Sequence, residues 1–213
     1  MNIFNYDSGI MRAVNKFTDC MFLSILFLIS CIPLFTIGTA MTALYYTAYK
    51  VLRGDRGYIF RDYVQAFRNN FRQTMPVWLL VAAMAAVLTA DWNIMRQYIG
   101  DKNLLGALEV LFFVAMSMFS VWISYLFAYM ARFEDTRRRS LKNAALMELA
   151  HLSRTFLLLA LAVLTMFLFY MAPLLILFLP AASAWLQSYI LEGIFRKYMS
   201  AQERKTEEER EQA

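Results

Sequence analysis

The chain has 213 residues, of which 60% are hydrophobic and 16% aromatic, and its formal net charge is +5. A water-soluble domain is about 45–50% apolar on a comparable count, so the composition points to a membrane domain with no separate soluble one. The two cysteines, Cys20 and Cys31, lie in one apolar stretch and give neither a disulfide framework nor a metal-ligand set.

Formal charge is absent from four long stretches, 20–49, 73–90, 110–131 and 155–191. A membrane-spanning helix needs about 20 mostly apolar residues, so the fold class is an all-α, polytopic transmembrane helix bundle over residues 1–200. The first stretch follows a polar start (Asn2, Asn5, Asp7, Ser8). It is longer than the hydrophobic part of a signal peptide and more spans follow it, so it is not read as a leader. Pro33 and Gly38 break it, because proline lacks a backbone donor and disfavours helix in the residue before it. The spacing predicts a helix over 17–32, a loop over 33–38 and a helix over 39–53.

Residues 50–72 form a basic segment. Phe60, Val64, Phe67 and Phe71 recur at i, i+4, i+7 and i+11, one face of a helix, and Arg61, Arg68 and Arg72 flank that stripe. A helix lying in the membrane interface has this pattern, as does a connector packed on the bundle. Arg61, Phe67, Arg68, Phe71 and Arg72 are therefore the candidate partner or lipid surface. A span over 74–90 follows, then a charge-balanced loop over 91–103, then a span over 105–131. The segment 132–154 is again basic, and Leu141, Ala145, Leu149 and Leu152 mark a second amphipathic helix. In the last stretch Pro173 and Pro180 separate helices over 155–171 and 181–198. The polar tail, 201–213, reads as a charged, solvated extension.

Positive loops stay on the cytoplasmic side. Two Pro-broken hairpins give five to six membrane helices, and six crossings put both basic segments and both termini inside. The cations at the ends of apolar runs thus set topology and meet lipid head groups. With no recognised module present, no nucleic-acid partner is expected.

The centres of the spans carry no ionisable group of the kind that ion-coupled carriers and intramembrane proteases require. The one histidine, His151, and the carboxylates Asp91 and Glu192 fall at span edges and read as boundary residues. Phosphate-binding glycine loops, nucleophile elbows and zinc signatures are absent from the sequence, so no enzyme activity, catalytic residue, cofactor or metal is expected. Small residues recur every four positions at Thr39, Ala43 and Thr47 and at Ala82, Ala86 and Ala90, a pattern for close helix packing. The alternative use of the neutral polar groups is a site for a neutral polar solute lined by Thr36, Tyr45, Tyr46 and Gln187. An offset of about 80 residues brings Ala48-Tyr49 onto Ala128-Tyr129 and Thr74 near Thr155, a weak trace of internal duplication.

The run Ile32-Pro33-Leu34-Phe35-Thr36-Ile37-Gly38-Thr39-Ala40-Met41-Thr42-Ala43-Leu44-Tyr45-Tyr46, with Lys50 and Arg53 after it, resembles the N-terminal signature of the YesL-like family of bacterial membrane proteins, which carry a domain of unknown function. Phe67-Arg68-Asn69-Asn70-Phe71, and Pro180 followed by Phe195-Arg196-Lys197-Tyr198, are similar to later blocks of that family; Thr39 stands where its pattern has proline or another small residue. The resemblance marks Pro33, Thr36, Gly38 and Ala43 as a structural motif and implies a multi-pass protein of the bacterial cytoplasmic membrane. It implies a non-enzymatic accessory or regulatory component associated with carbohydrate uptake. The candidate partners are then the lipid bilayer, sugar-transporter permease subunits and further copies of the chain. A small oligomeric carrier or channel for a neutral polar solute is the alternative.

Overall fold

The computed structural model describes residues 9–98 and 102–199; the polar start and the tail over 201–213 lie outside them. Among the described residues the chain folds into seven α-helices and no strand: α1 Gly9–Cys31, α2 Ile37–Thr47, α3 Ile59–Tyr98, α4 Lys102–Arg132, α5 Arg137–Ala150, α6 Leu152–Met171 and α7 Leu179–Tyr198. Four of the helices hold segments long and apolar enough to cross a membrane, Val14–Cys31, Ile59–Gln97, Gly106–Arg132 and Leu152–Met171. The other two membrane helices read from the sequence are α2, with 11 residues, and α7, which carries Glu192, Arg196 and Lys197.

Pro33 ends α1 as expected. Its φ of −78° and ψ of 113° are extended, and a 3-10 turn, Leu34–Thr36, leads into α2. The Thr36 hydroxyl closes the turn through the carbonyls of Ser30 and Pro33, each at 2.6 Å. The turn is shorter than the predicted loop, and Gly38 lies inside α2. Its role is close approach: an added Cβ would stand 2.6 Å from Trp78 Cβ and 2.8 Å from Phe127 Cε1. Thr39, Ala43 and Thr47 are all buried, and the Thr39 and Thr74 hydroxyls hydrogen-bond at 2.8 Å between α2 and α3. The second small-residue stripe does not pack in this way, since Ala86 and Ala90 are exposed.

The largest departure from the sequence reading is α3. The expected interfacial helix over 60–71 and the expected span over 74–90 are one helix of 40 residues that runs through Pro76. Proline inside a helix leaves the carbonyl four residues earlier without its partner. Here that carbonyl belongs to Arg72, and Arg137 Nη2 donates to it at 2.9 Å from the start of α5. A tertiary contact thus replaces the missing helical bond and the helix continues. The first of the two amphipathic helices expected from the sequence is accordingly the first part of α3, and only α5 stands alone.

Two buried clusters organise the bundle. One centres on Tyr125, Leu126 and Tyr129 of α4 and Phe133 just after it, with Leu191, Ile194 and Phe195 of α7. The other joins Cys20 and Leu23 of α1, Ala43 and Ala48, Tyr63 and Ala66 of α3 and Ala181 and Ala184 of α7. The outer faces are apolar as well: Phe113 on α4 is 61% exposed and Phe156 on α6 is 67% exposed, with Val110, Leu111, Val163, Leu164 and Phe167 beside them. Soluble monomers rarely expose so continuous an apolar surface. With hydrocarbon as solvent it carries no penalty, which fits a multi-pass membrane protein.

Candidate functional site: a buried charged hub and the cavity beside it

Glu192 of α7 is 0% exposed and Arg132, the last residue of α4, has 12% of its side chain exposed. Arg132 Nε and Glu192 Oε1 pair at 2.8 Å, and Arg132 Nη2 donates to Oε2 at 3.3 Å. The Tyr45 hydroxyl donates to Oε1 at 3.4 Å from α2. The Arg132 guanidinium lies 4.2 Å from the centroid of the Tyr49 ring, and Arg53 lies 5.7 Å from the same ring. Arg53 also donates to the Ser188 carbonyl at 2.7 Å and covers Tyr189. A carboxylate is costly to bury alone; here it pairs with the Arg132 guanidinium and accepts from the Tyr45 phenol. Because α2 belongs to the first half of the chain and α4 to the second, Glu192 ties the two halves together.

This hub corrects the view of Glu192 as a boundary residue in inexpensive surroundings. The available signal was that Arg132 and Glu192 end apolar runs predicted to lie on one side. Which charges at that depth would pair was set by helix rotation, which the sequence does not state.

A second charged pair fastens the start of α3. Lys50 Nζ meets Asp62 Oδ1 at 2.7 Å, and the Tyr58 amide donates to Asp62 Oδ2 at 2.8 Å. Gly57, at φ +85°, has no Cβ to collide with that carboxylate.

Beside the hub lies a cavity of about 200 Å³ between the first hairpin, α4 and α7. Its polar lining is Tyr45, Ser124, Ser183 and Gln187; its apolar lining includes Phe27, Met41 and Phe127. Of the four candidate solute-lining residues the fold brings Tyr45 and Gln187 together here. Thr36 is engaged in the turn after Pro33, and Tyr46 lies under Lys50, 5.8 Å from ring centroid to Nζ. Ligand sites usually enclose about 300–1,000 Å³, so this cavity is small.

The candidate surface set also divides. Arg61, Arg68 and Arg72 are exposed. Phe67 and Phe71 are half-buried, with Phe67 stacked on Tyr63 at 6.4 Å and tilted against Phe71 at 5.9 Å. Phe67 therefore packs against the bundle, while Phe60 at the head of the stripe is exposed together with the three arginines. On α5 the buried face is Ser140, Ala144, Met147 and Glu148, while Leu149 and, at the start of α6, Leu152 are exposed. The predicted stripe there divides, with Leu141 packed on the core and Leu149 and Leu152 turned outward. His151 sits at the corner between α5 and α6, its ring edge-on to Tyr198 at 5.8 Å. Among the described residues no group of three or more His, Cys, Asp or Glu side chains is placed to hold a metal ion.

Residues 20–92 match the family described as a protein of unknown function, DUF624. The match supports an uncharacterised family. It runs from within α1 to near the end of α3, so it contains the Pro33–Gly38 turn, the Thr39–Thr74 contact and the Lys50–Asp62 pair. No curated protein and no solved structure matches the chain.

Glu148 of α5 is buried with 4% exposure, its Oε1 has no hydrogen-bond partner, and burial raises its carboxyl from an ordinary 4.5 to about 7. The folded chain thus holds this proton more tightly than the unfolded chain. The stability contribution is fully present below the unfolded value and is lost as pH rises through about 7. Thermal unfolding in detergent is expected to show Tm falling from pH 5 to pH 8, and Glu148→Gln should flatten that slope. An unchanged slope in the variant would assign it to another group.

Proposed function

We propose that the chain is a non-enzymatic accessory component of a carbohydrate importer in a bacterial cytoplasmic membrane, docked on the permease through its charged cytoplasmic end. The observation that carries this is the small size of the cavity beside the hub, about 200 Å³, next to Glu192, Arg132 and Tyr45, which are committed to one another. That arrangement offers a solute little room. The exposed arginines of α3 and α5, by contrast, stand on helices fixed to the bundle. The link to carbohydrate comes from the resemblance to the YesL-like family alone; the match over residues 20–92 is to a family of unknown function.

The same reading places both termini in the cytoplasm. It takes the first hairpin as re-entrant. Trp78 Nε1 donates to the Leu34 carbonyl at 2.8 Å, which sets the Pro33 turn at the level of Trp78. The apolar run of α3 continues to Ala90, about 18 Å further at 1.5 Å per residue. A hairpin that enters and returns leaves the sidedness of the later helices unchanged.

Affinity purification from native membranes in mild detergent tests the proposal. Permease subunits of a sugar importer should co-purify, and reversing the charge of Arg61 and Arg68 should reduce their yield. Recovery of the protein alone, with the importer expressed, would contradict it. The lining of the cavity by Tyr45, Ser124, Ser183 and Gln187 favours the second reading, a small oligomeric carrier. Proteoliposomes holding the purified protein alone should then pass a neutral solute such as a sugar, and the accessory reading expects no flux.

A further inference from the structure

At the charged end of the bundle an open groove of about 630 Å³ lies between α3 and the turn from α4 into α5. Its walls are Arg72, Gln73, Asp135, Thr136, Arg137 and Arg138. Three arginines face one acid, and that acid is engaged already: Asp135 Oδ2 accepts from Tyr129 at 2.6 Å, and Oδ1 lies 3.9 Å from Arg139. Arg137 is held in place by its bond to the Arg72 carbonyl, and Gln73 by its bond to the Asp135 carbonyl at 2.6 Å. Among the described residues the guanidinium groups of Arg72 and Arg138 have no acidic partner. The groove also adjoins the start of α5, where Thr136 makes no side-chain cap and the first turn has no acidic residue. Three arginines thus border the groove against a single carboxylate that Tyr129 already engages.

Its depth in the membrane and its surroundings specify which anion. Arg72 immediately precedes the charge-free run that starts at Gln73, and Asp135–Arg138 follow within a few residues the run that ends at Ala131. Both borders put the groove where lipid phosphates lie. The face of α3 that carries Arg72 continues through Pro76 to Leu79 and Leu80, at i+4, i+7 and i+8. Pro76 is exposed, and Leu79 and Leu80 are each 48% exposed. A charged socket thus sits at the head of an open apolar track.

We propose that this groove binds one anionic phospholipid, its phosphate held by Arg72, Arg137 and Arg138 and an acyl chain laid along Pro76, Leu79 and Leu80. Arginine suits the task because its planar fork meets phosphate oxygens two at a time. The proposal does not depend on the accessory role or on any importer.

Native mass spectrometry of the full chain in neutral detergent tests it. The probes are phosphatidylglycerol, phosphatidylcholine with the same acyl chains, and the deacylated headgroup glycerophosphoglycerol. One phosphatidylglycerol is expected to remain bound where phosphatidylcholine is lost. Arg72→Gln with Arg138→Gln should weaken that binding about five-fold for each arginine removed. Arg61→Gln with Arg68→Gln, elsewhere on α3, should leave it unchanged and serves as the control for general charge. Equal binding of the two lipids would overturn the proposal. So would loss of preference in the control variant, which would mean diffuse attraction. Tight binding of the deacylated headgroup would identify a free phosphate ester as the ligand and overturn the lipid assignment. Arg137 is kept intact because it also satisfies the Arg72 carbonyl. Unfolding curves taken in the presence of phosphatidylcholine should coincide for wild type and both variants, so that any loss of binding is read on folded protein.

Discussion

Replacing Glu192 with alanine is expected to destabilise the bundle by ~3–5 kcal/mol, because it removes the carboxylate that pairs with the Arg132 guanidinium in a site with almost no access to water. The carboxylate is 0% exposed and its partner pairs with it at 2.8 Å. The substitution also removes the acceptor of the Tyr45 hydroxyl and so loosens α2 from α7. In a chain of this size that corresponds to a fall in Tm on the order of 10 °C, readable by thermal unfolding in detergent. Replacing both partners with methionine removes the two charges together, and the double variant is expected to unfold near the wild-type temperature, as buried ion pairs often tolerate apolar replacement. If the single variant were as stable as wild type, the pair would contribute nothing and the hub would not hold the two halves of the chain together.

The second large effect is expected at Gly38, where even a methyl group has no room. Its added Cβ would stand 2.6 Å from Trp78 Cβ and under 3 Å from two atoms of the Phe127 ring. The ring can turn away, but Trp78 Cβ moves only with the α3 backbone. Gly38→Ala is therefore expected to cost ~1–3 kcal/mol by overpacking. Shortening Phe127 to leucine in the same chain should rescue little of it. Full rescue would show that the ring alone sets the separation of α2 from α3, contrary to the backbone contact inferred here. The Thr39–Thr74 bond one residue along depends on that same approach.

The parts of the fold that were legible in the sequence are those set by local chemistry. Apolar runs free of charge gave the long helices, since in lipid every backbone polar group must be satisfied within the segment or by protein neighbours. Pro33 and the pair Pro173 and Pro180 marked breaks where the structure has 3-10 turns, because a missing amide is a local defect. Pro76 carries the same defect and breaks nothing. Its remedy, Arg137, lies 65 residues from the carbonyl it satisfies, and no local pattern announces that contact.

The candidate site followed the same division. Residue type selected Tyr45 and Gln187, which meet in the cavity, but selected Thr36 and Tyr46 equally well. Rotation of α2 and the turn before it sent those two elsewhere. Helical periodicity placed Phe67 and Phe71 on one face correctly and said nothing of whether that face looked outward. The packing of Phe67 beside Tyr63 was decided by α1 and α2 covering the start of α3. The pairing of Arg132 with Glu192, 60 residues apart, is a further contact that residue type permits and only the fold selects.

The bundle needs lipid around its apolar helices, and the proposed orientation puts the arginine-rich end in the cytoplasm. Single-cysteine labelling with a membrane-impermeant maleimide tests this most directly, in a background with Cys20 and Cys31 replaced. Arg138→Cys should label only in inverted vesicles, Asn93→Cys only in right-side-out vesicles, and Leu164→Cys in neither. Labelling of Arg138→Cys from outside, or free labelling of Leu164→Cys, would contradict the account.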